Sequence, residues 1–105
     1  MPSKLIRDRI PVIAEAAGQK LEVRKIRPHE WDGLLRAKVG EEAAEVQAAS
    51  KEELLDEIAD LVEVAAVLAR HHGWTEYDVL QARVRKTRER GSFWCGYVLT
   101  TEEQS

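Results

Sequence analysis

The chain has 105 residues, a formal net charge of -3 and a pI near 5.6, which allows one domain with a modest core and gives no basic field for long nucleic acid. No apolar run approaches the roughly 20 residues of a membrane span, and the N-terminus carries no signal-peptide core. The single Cys95 can form neither an internal disulfide nor a cysteine-based zinc site, so a soluble protein of the reducing cytoplasm is expected.

In chain order, residues 3 to 11, Ser-Lys-Leu-Ile-Arg-Asp-Arg-Ile-Pro, alternate charge with aliphatic residues. Pro11 suits the first turn of a short helix and Gly18 its end, which predicts a helix from about Pro11 to Ala17. Leu21, Val23 and Ile26 interleave with Glu22, Arg24 and Lys25, the alternation of a short, half-buried strand over 20 to 26. Pro28 opens a helix expected to reach about Ala49. Gly40 lies inside it at a cost of about 1 kcal/mol relative to alanine, and the pattern does not choose between close packing there and simple tolerance.

Ser50-Lys-Glu-Glu53 has the capping-box pattern and starts a helix that runs to His72, where Gly73 favours a left-handed stop. So short a connection between two long helices makes them antiparallel neighbours. Thr75 caps a third main helix, Glu76 to Arg90, basic toward its end through Arg83, Arg85, Lys86, Arg88 and Arg90; Gly91 breaks it. Ser92 to Thr100 carries Phe93, Trp94, Tyr97, Val98 and Leu99 and is expected to pair as a second strand with 20 to 26. The tail, 101 to 105, is expected to fray. The fold class is therefore mainly α, an antiparallel helical bundle with a small two-stranded β element. Residues 1 to 105 form one domain whose small core would gain from being shared in a dimer.

Residues 38 to 60 carry the chemistry. Glu42 and Glu45 fall on one helix face at 100° per residue, Glu41 stands one turn before Glu45, and Glu57 and Asp60 repeat the i, i+3 spacing on the next helix. Acidic residues so spaced usually form a solvated face, and with 19 Asp plus Glu in the chain a lone Glu-x-x-Glu says little. Their neighbours argue otherwise. Glu42 and Glu45 share a sector with Trp31, Leu34, Leu35 and Ala49, while Arg36, Gly40 and Gln47 hold the outward side. Glu57 and Asp60 share a stripe with Val64 and Val67.

Carboxylates facing inward must take up protons or hold a cation, because an uncompensated buried ion costs several kcal/mol. Four of them, with no His or Cys beside them, make an all-oxygen site suited to Mg²⁺, with Mn²⁺ as the substitute. We read Glu42, Glu45, Glu57 and Asp60 as metal ligands. Such a metal with basic groups nearby is the equipment of phosphoanhydride chemistry. Lys38, Lys86 and Arg90 are the candidates for holding phosphate, with Arg7 a weaker one; each also reads as an ordinary surface charge or ion pair. His71 and His72 end a helix and are read as favoured there by its dipole. Trp31, Trp74, Trp94 and Tyr97 are read as core or dimer packing before base stacking, and Cys95 has no partnered base.

These residues resemble the all-α nucleoside triphosphate pyrophosphohydrolases of the MazG and phosphoribosyl-ATP pyrophosphohydrolase group. Glu-Glu-x-x-Glu at 41 to 45 followed by Glu-x-x-Asp at 57 to 60 looks like that family's magnesium signature. Lys4-Leu-Ile-Arg-Asp-Arg-Ile-Pro11 and Glu89-Arg-Gly-Ser-Phe93 are similar to the opening and close of a small MazG-like subgroup, with Ser92 in place of a second glycine. The resemblance implies Mg²⁺ on Glu42, Glu45, Glu57 and Asp60, cleavage of a nucleotide between its α and β phosphates, and Glu41 as the group that orients or deprotonates water. It also implies a homodimer or dimer of dimers. The expected substrate is a noncanonical nucleoside triphosphate. The alternatives are phosphoribosyl-ATP and, from another class, a noncatalytic helical dimerisation module whose acids pair with Lys38 and its neighbours.

Overall fold

The computed structural model describes residues 3–101; the tail expected to fray lies outside them from residue 102. Four α-helices follow one another: α1 (Ile10–Ala16), α2 (Trp31–Ala48), α3 (Lys51–His71) and α4 (Glu76–Arg90), with a single 3-10 turn, Pro28–Glu30, leading into α2. Residues 3 to 9 run to α1 without regular structure apart from a turn at its start. Among the described residues no helix is long and apolar enough to cross a membrane.

Local chemistry sets the ends of these helices. The Glu53 carboxylate accepts from the Ser50 amide at 3.4 Å, so the helix break between α2 and α3 spans only Ala49 and Ser50. At the far end of α3 the Trp74 amide donates to the Ala69 carbonyl at 3.0 Å and the Gly73 amide to that of Arg70 at 2.9 Å. This left-handed stop requires the positive φ of Gly73, +88°. Thr75 and Asp78 then cap α4 reciprocally, Asp78 N to Thr75 Oγ1 at 3.1 Å and Thr75 N to Asp78 Oδ2 at 2.8 Å.

The helical hairpin of α2 and α3 is the body of the protein. Leu35 and Val64 are buried in it, and Ala14 is buried on α1. At the end of the hairpin where α2 starts and α3 stops, His72 Nε2 meets Asp32 Oδ1 at 2.6 Å, and the rings of Trp31 and His71 stack with centroids 6.0 Å apart. The two histidines thus fasten the hairpin, a more specific use than the helix-dipole role expected for them. A Cβ on Gly40 would meet no heavy atom within 4 Å, so close packing within the chain does not account for that glycine.

The helical bundle agrees with the expected fold class, but the β element does not form among the described residues: neither 20 to 26 nor 92 to 100 contains a strand. A two-stranded ribbon is marginal unless a face is covered. Here Val23 and Leu21 are exposed, as are Phe93 (94 %) and Trp94 (95 %), and of the apolar residues in 20 to 26 only Ile26 is half-buried, so neither segment has a covered face.

Candidate active site

Helical geometry brings the acids together. On α2, Glu42 is seven residues from Leu35, only about 20° away around the helix axis, and it shares the burial of Leu35 against α3. On α3, Glu57 and Asp60 lie within about 40° of the buried Val64. Glu42, Glu57 and Asp60 each offer an oxygen, and the three atoms lie within 4.8 Å of one another. Glu45 is exposed and stands outside this cluster, because it is about 80° from Leu35 around α2. Its charge is still felt. Desolvation first, then the charges of Glu45 and Asp60, push the Glu57 carboxyl above its usual range.

Three cations approach the acids. Lys38 Nζ lies 2.9 Å from Glu41 Oε2 and 3.4 Å from Glu42 Oε1. Burial pulls the Lys38 ammonium down, but Glu41 and then Glu42 outweigh it and leave the pKa raised. Lys38 in turn, with a smaller contribution from Lys4 at 3.7 Å, holds the Glu41 carboxyl below its usual range. Glu41 therefore stays ionised at neutral pH. Arg7 reaches across from the N-terminal segment, Nη2 to Asp60 Oδ1 at 2.6 Å. That hydrogen bond raises the Arg7 pKa, with the charges of Asp60, Glu63 and Glu42 adding to it against some desolvation.

Between the N-terminal segment and the hairpin lies an open cleft of about 820 Å³. Leu5, Ile6, Trp31, Leu35, Val64 and Val67 give it apolar walls, while Arg7, Lys38, Glu42 and Asp60 put charge at the acidic end. An apolar pocket with a few convergent polar groups is the usual form of a small-molecule site. Trp31 thus combines packing on His71 with a surface in the cleft. Lys86 and Arg90 are exposed on the last turns of α4, do not line the cleft, and pair with no acid among the described residues. Of the four candidates for phosphate, the structure brings Arg7 and Lys38 to the acids.

Lys4 and Glu63 were not singled out from the sequence, and only Lys4 left a signal, its place three residues before Arg7 in the opening motif. The donor set fits a hard divalent cation: carboxylate oxygens only, close enough to share one ion. The same arrangement offers a phosphate chain two cations, Arg7 and Lys38, beside the acids.

Residues 6–87 match the sequence model of the phosphoribosyl-ATP pyrophosphohydrolase family. Neither a curated protein nor a solved structure matches the chain.

Proposed function

Because the chain belongs to the phosphoribosyl-ATP pyrophosphohydrolase family, within the MazG-like all-α nucleoside triphosphate pyrophosphohydrolases, it is a hydrolase of acid anhydrides, and we propose that it cleaves a nucleoside triphosphate to the monophosphate and pyrophosphate with Mg²⁺. A nucleotide substrate and dependence on a divalent metal are family properties. The observation that carries the reading is the convergence of Glu42, Glu57 and Asp60 with Lys38 and Arg7 at one end of an apolar cleft.

In this reading Glu42, Glu57 and Asp60 hold the metal and Glu45, one turn further on α2, completes or adjusts the set. The bound metal would neutralise phosphate charge and acidify a water. Lys38 and Arg7 hold phosphate oxygens as charge builds on the leaving pyrophosphate. Glu41, kept ionised by Lys38, accepts a hydrogen bond from the attacking water and so aims its lone pair at phosphorus. Water adds across the α–β anhydride, the bridging bond breaks, and one proton is released. The apolar walls of the cleft receive the nucleoside. Lys86 and Arg90 reach phosphate only if assembly carries α4 to a site. The protein acts as one cytoplasmic domain and as a homodimer or dimer of dimers.

One observation favours a second substrate: the matching family is named for phosphoribosyl-ATP, which carries the same α–β bond. The deciding experiment incubates the protein and Mg²⁺ with canonical and damaged nucleoside triphosphates and with phosphoribosyl-ATP, scoring pyrophosphate against orthophosphate. Pyrophosphate with a matching monophosphate is expected, and Glu42→Gln with Asp60→Asn is expected to reduce it at least about a hundredfold. Orthophosphate from the wild type, or full activity in the double variant, would overturn the assignment. A helical dimerisation module would instead give no product and a changed assembly in that variant.

A further inference from the structure

The segment before α1 is held to the site by its own cations. Lys4 pairs with Glu41 at 3.7 Å and Arg7 with Asp60 at 2.6 Å, while Leu5 and Ile6 between them are only half-buried. Glu41, Glu42, Glu57 and Asp60, with the charges of Glu45 and Glu63 also felt by Glu57 and Arg7, outnumber the three cations Lys4, Arg7 and Lys38. The site is net negative, and Asp60 is the acid that Arg7 and the cluster share.

A divalent cation arriving at Glu42, Glu57 and Asp60 competes with the Arg7 guanidinium for the field of Asp60. Two cations on one carboxylate weaken each other, and the coupling must be reciprocal. Arg7 also lines the cleft, so a guanidinium freed from Asp60 stands next to the space where a phosphate chain would offer it a new anion. We propose that Arg7 is handed over between two anions: Asp60 holds it until the metal enters, and a substrate phosphate takes it afterwards. This inference rests on the metal-site reading above and deepens it. Its consequence is an order of events. Metal entry loosens the N-terminal wall of the cleft and makes available the cation that the substrate then re-engages, closing that wall over itself.

The test uses Mn²⁺ alone, with free ion counted by electron paramagnetic resonance, and then inorganic pyrophosphate in the presence of saturating Mn²⁺, measured by calorimetry. Arg7→Gln removes a largely exposed side chain and is expected to keep the helical circular dichroism of the wild type. It should bind Mn²⁺ roughly two- to fivefold more tightly, the factor carried by an ion pair of this exposure. Its affinity for pyrophosphate should fall at least about fivefold, since a charged hydrogen bond is lost. Lys4→Gln deletes the same charge but touches Glu41 outside the cluster, and it should change Mn²⁺ binding less. Unchanged or weaker Mn²⁺ binding in Arg7→Gln would overturn the hand-over, as would equal tightening in Lys4→Gln or unchanged pyrophosphate affinity. A wild type that binds no Mn²⁺ would overturn the metal-site reading itself.

Discussion

Glu30 accepts hydrogen bonds from both terminal guanidinium nitrogens of Arg24, each at 2.8 Å, and from the Arg27 amide at 2.9 Å. These contacts, the Arg24 bonds foremost, bring its carboxyl from 4.5 down to about 2. A carboxylate with a depressed pKa in the folded state contributes stability that is fully present above its unfolded value and is lost as pH falls through the folded one. Glu30 should therefore remain ionised well below pH 4.5 and release Arg24 only near pH 2. Carbon-detected NMR titration of its carboxyl checks this, and Arg24→Gln should return the midpoint toward 4.5. At this same scale the acids were legible in the sequence because the helical period is local: Leu35 and Glu42, or Val64 and Glu57, share a face whatever the rest of the chain does. Burial at Glu45 was less legible: spacing assigned it to a broad inward sector, whereas a two-helix contact buries a narrower one and leaves Glu45 exposed. The contact of Arg7 was not legible because its partner, Asp60, is 53 residues away, and nothing in an irregular segment announces so distant a contact.

Helix ends are also local, and the capping residues at Ser50 and Thr75 marked the starts of α3 and α4 correctly. The Thr75 cap has a measurable worth. Replacing it by alanine should cost about 1 kcal/mol. Because α4 rests on α3 alone among the other elements, the loss should appear as faster amide hydrogen exchange in the first turn of α4, around Tyr77 and Asp78, with α2 and α3 unaffected. Exchange that rises equally in α2 and α3 would mean α4 is tied into the hairpin more firmly than its contacts indicate. The strand expectation failed at this scale for a physical reason. Alternation over 20 to 26 and aromatic content over 92 to 100 describe what a strand needs from its neighbours, and no layer in this chain supplies it. Apart from the half-buried Ile26, the apolar residues that suggested strands are left exposed.

At the scale of the whole molecule the chain is open. Its accessible surface is 9749 Å², where a compact monomer of 11.9 kDa exposes roughly 5,900 Å². Its radius of gyration is 17.6 Å against about 13 Å for a compact domain of this length. The excess, roughly 3,800 Å², exceeds the ~800 Å² per partner of a standard interface, which fits an obligate interface or two separate ones. The geometry of α3 says where part of it lies. Leu55 and Val62 stand within about 20° of the direction opposite Val64, and Ile58 about 60° from it; Leu55 is 76 % and Val62 62 % exposed. The helix is apolar on two sides, and α2 covers one. On α4, Tyr77, Leu80 and Val84 repeat such a stripe at i, i+3 and i+7 and are likewise exposed. A second copy of the chain brings the same uncovered faces and needs no further partner, so sedimentation should give a dimer or a larger closed assembly. Leu55→Asp with Val62→Asp should shift it toward the monomer and lower the unfolding temperature, because the aspartates would be buried at the interface without partners. The acidic cluster lies on the other side of α3, so on the proposed reading the separated chain should still bind Mn²⁺ if it keeps its hairpin. A wild type that sediments as a monomer of this extended form would instead leave these stripes to a different protein.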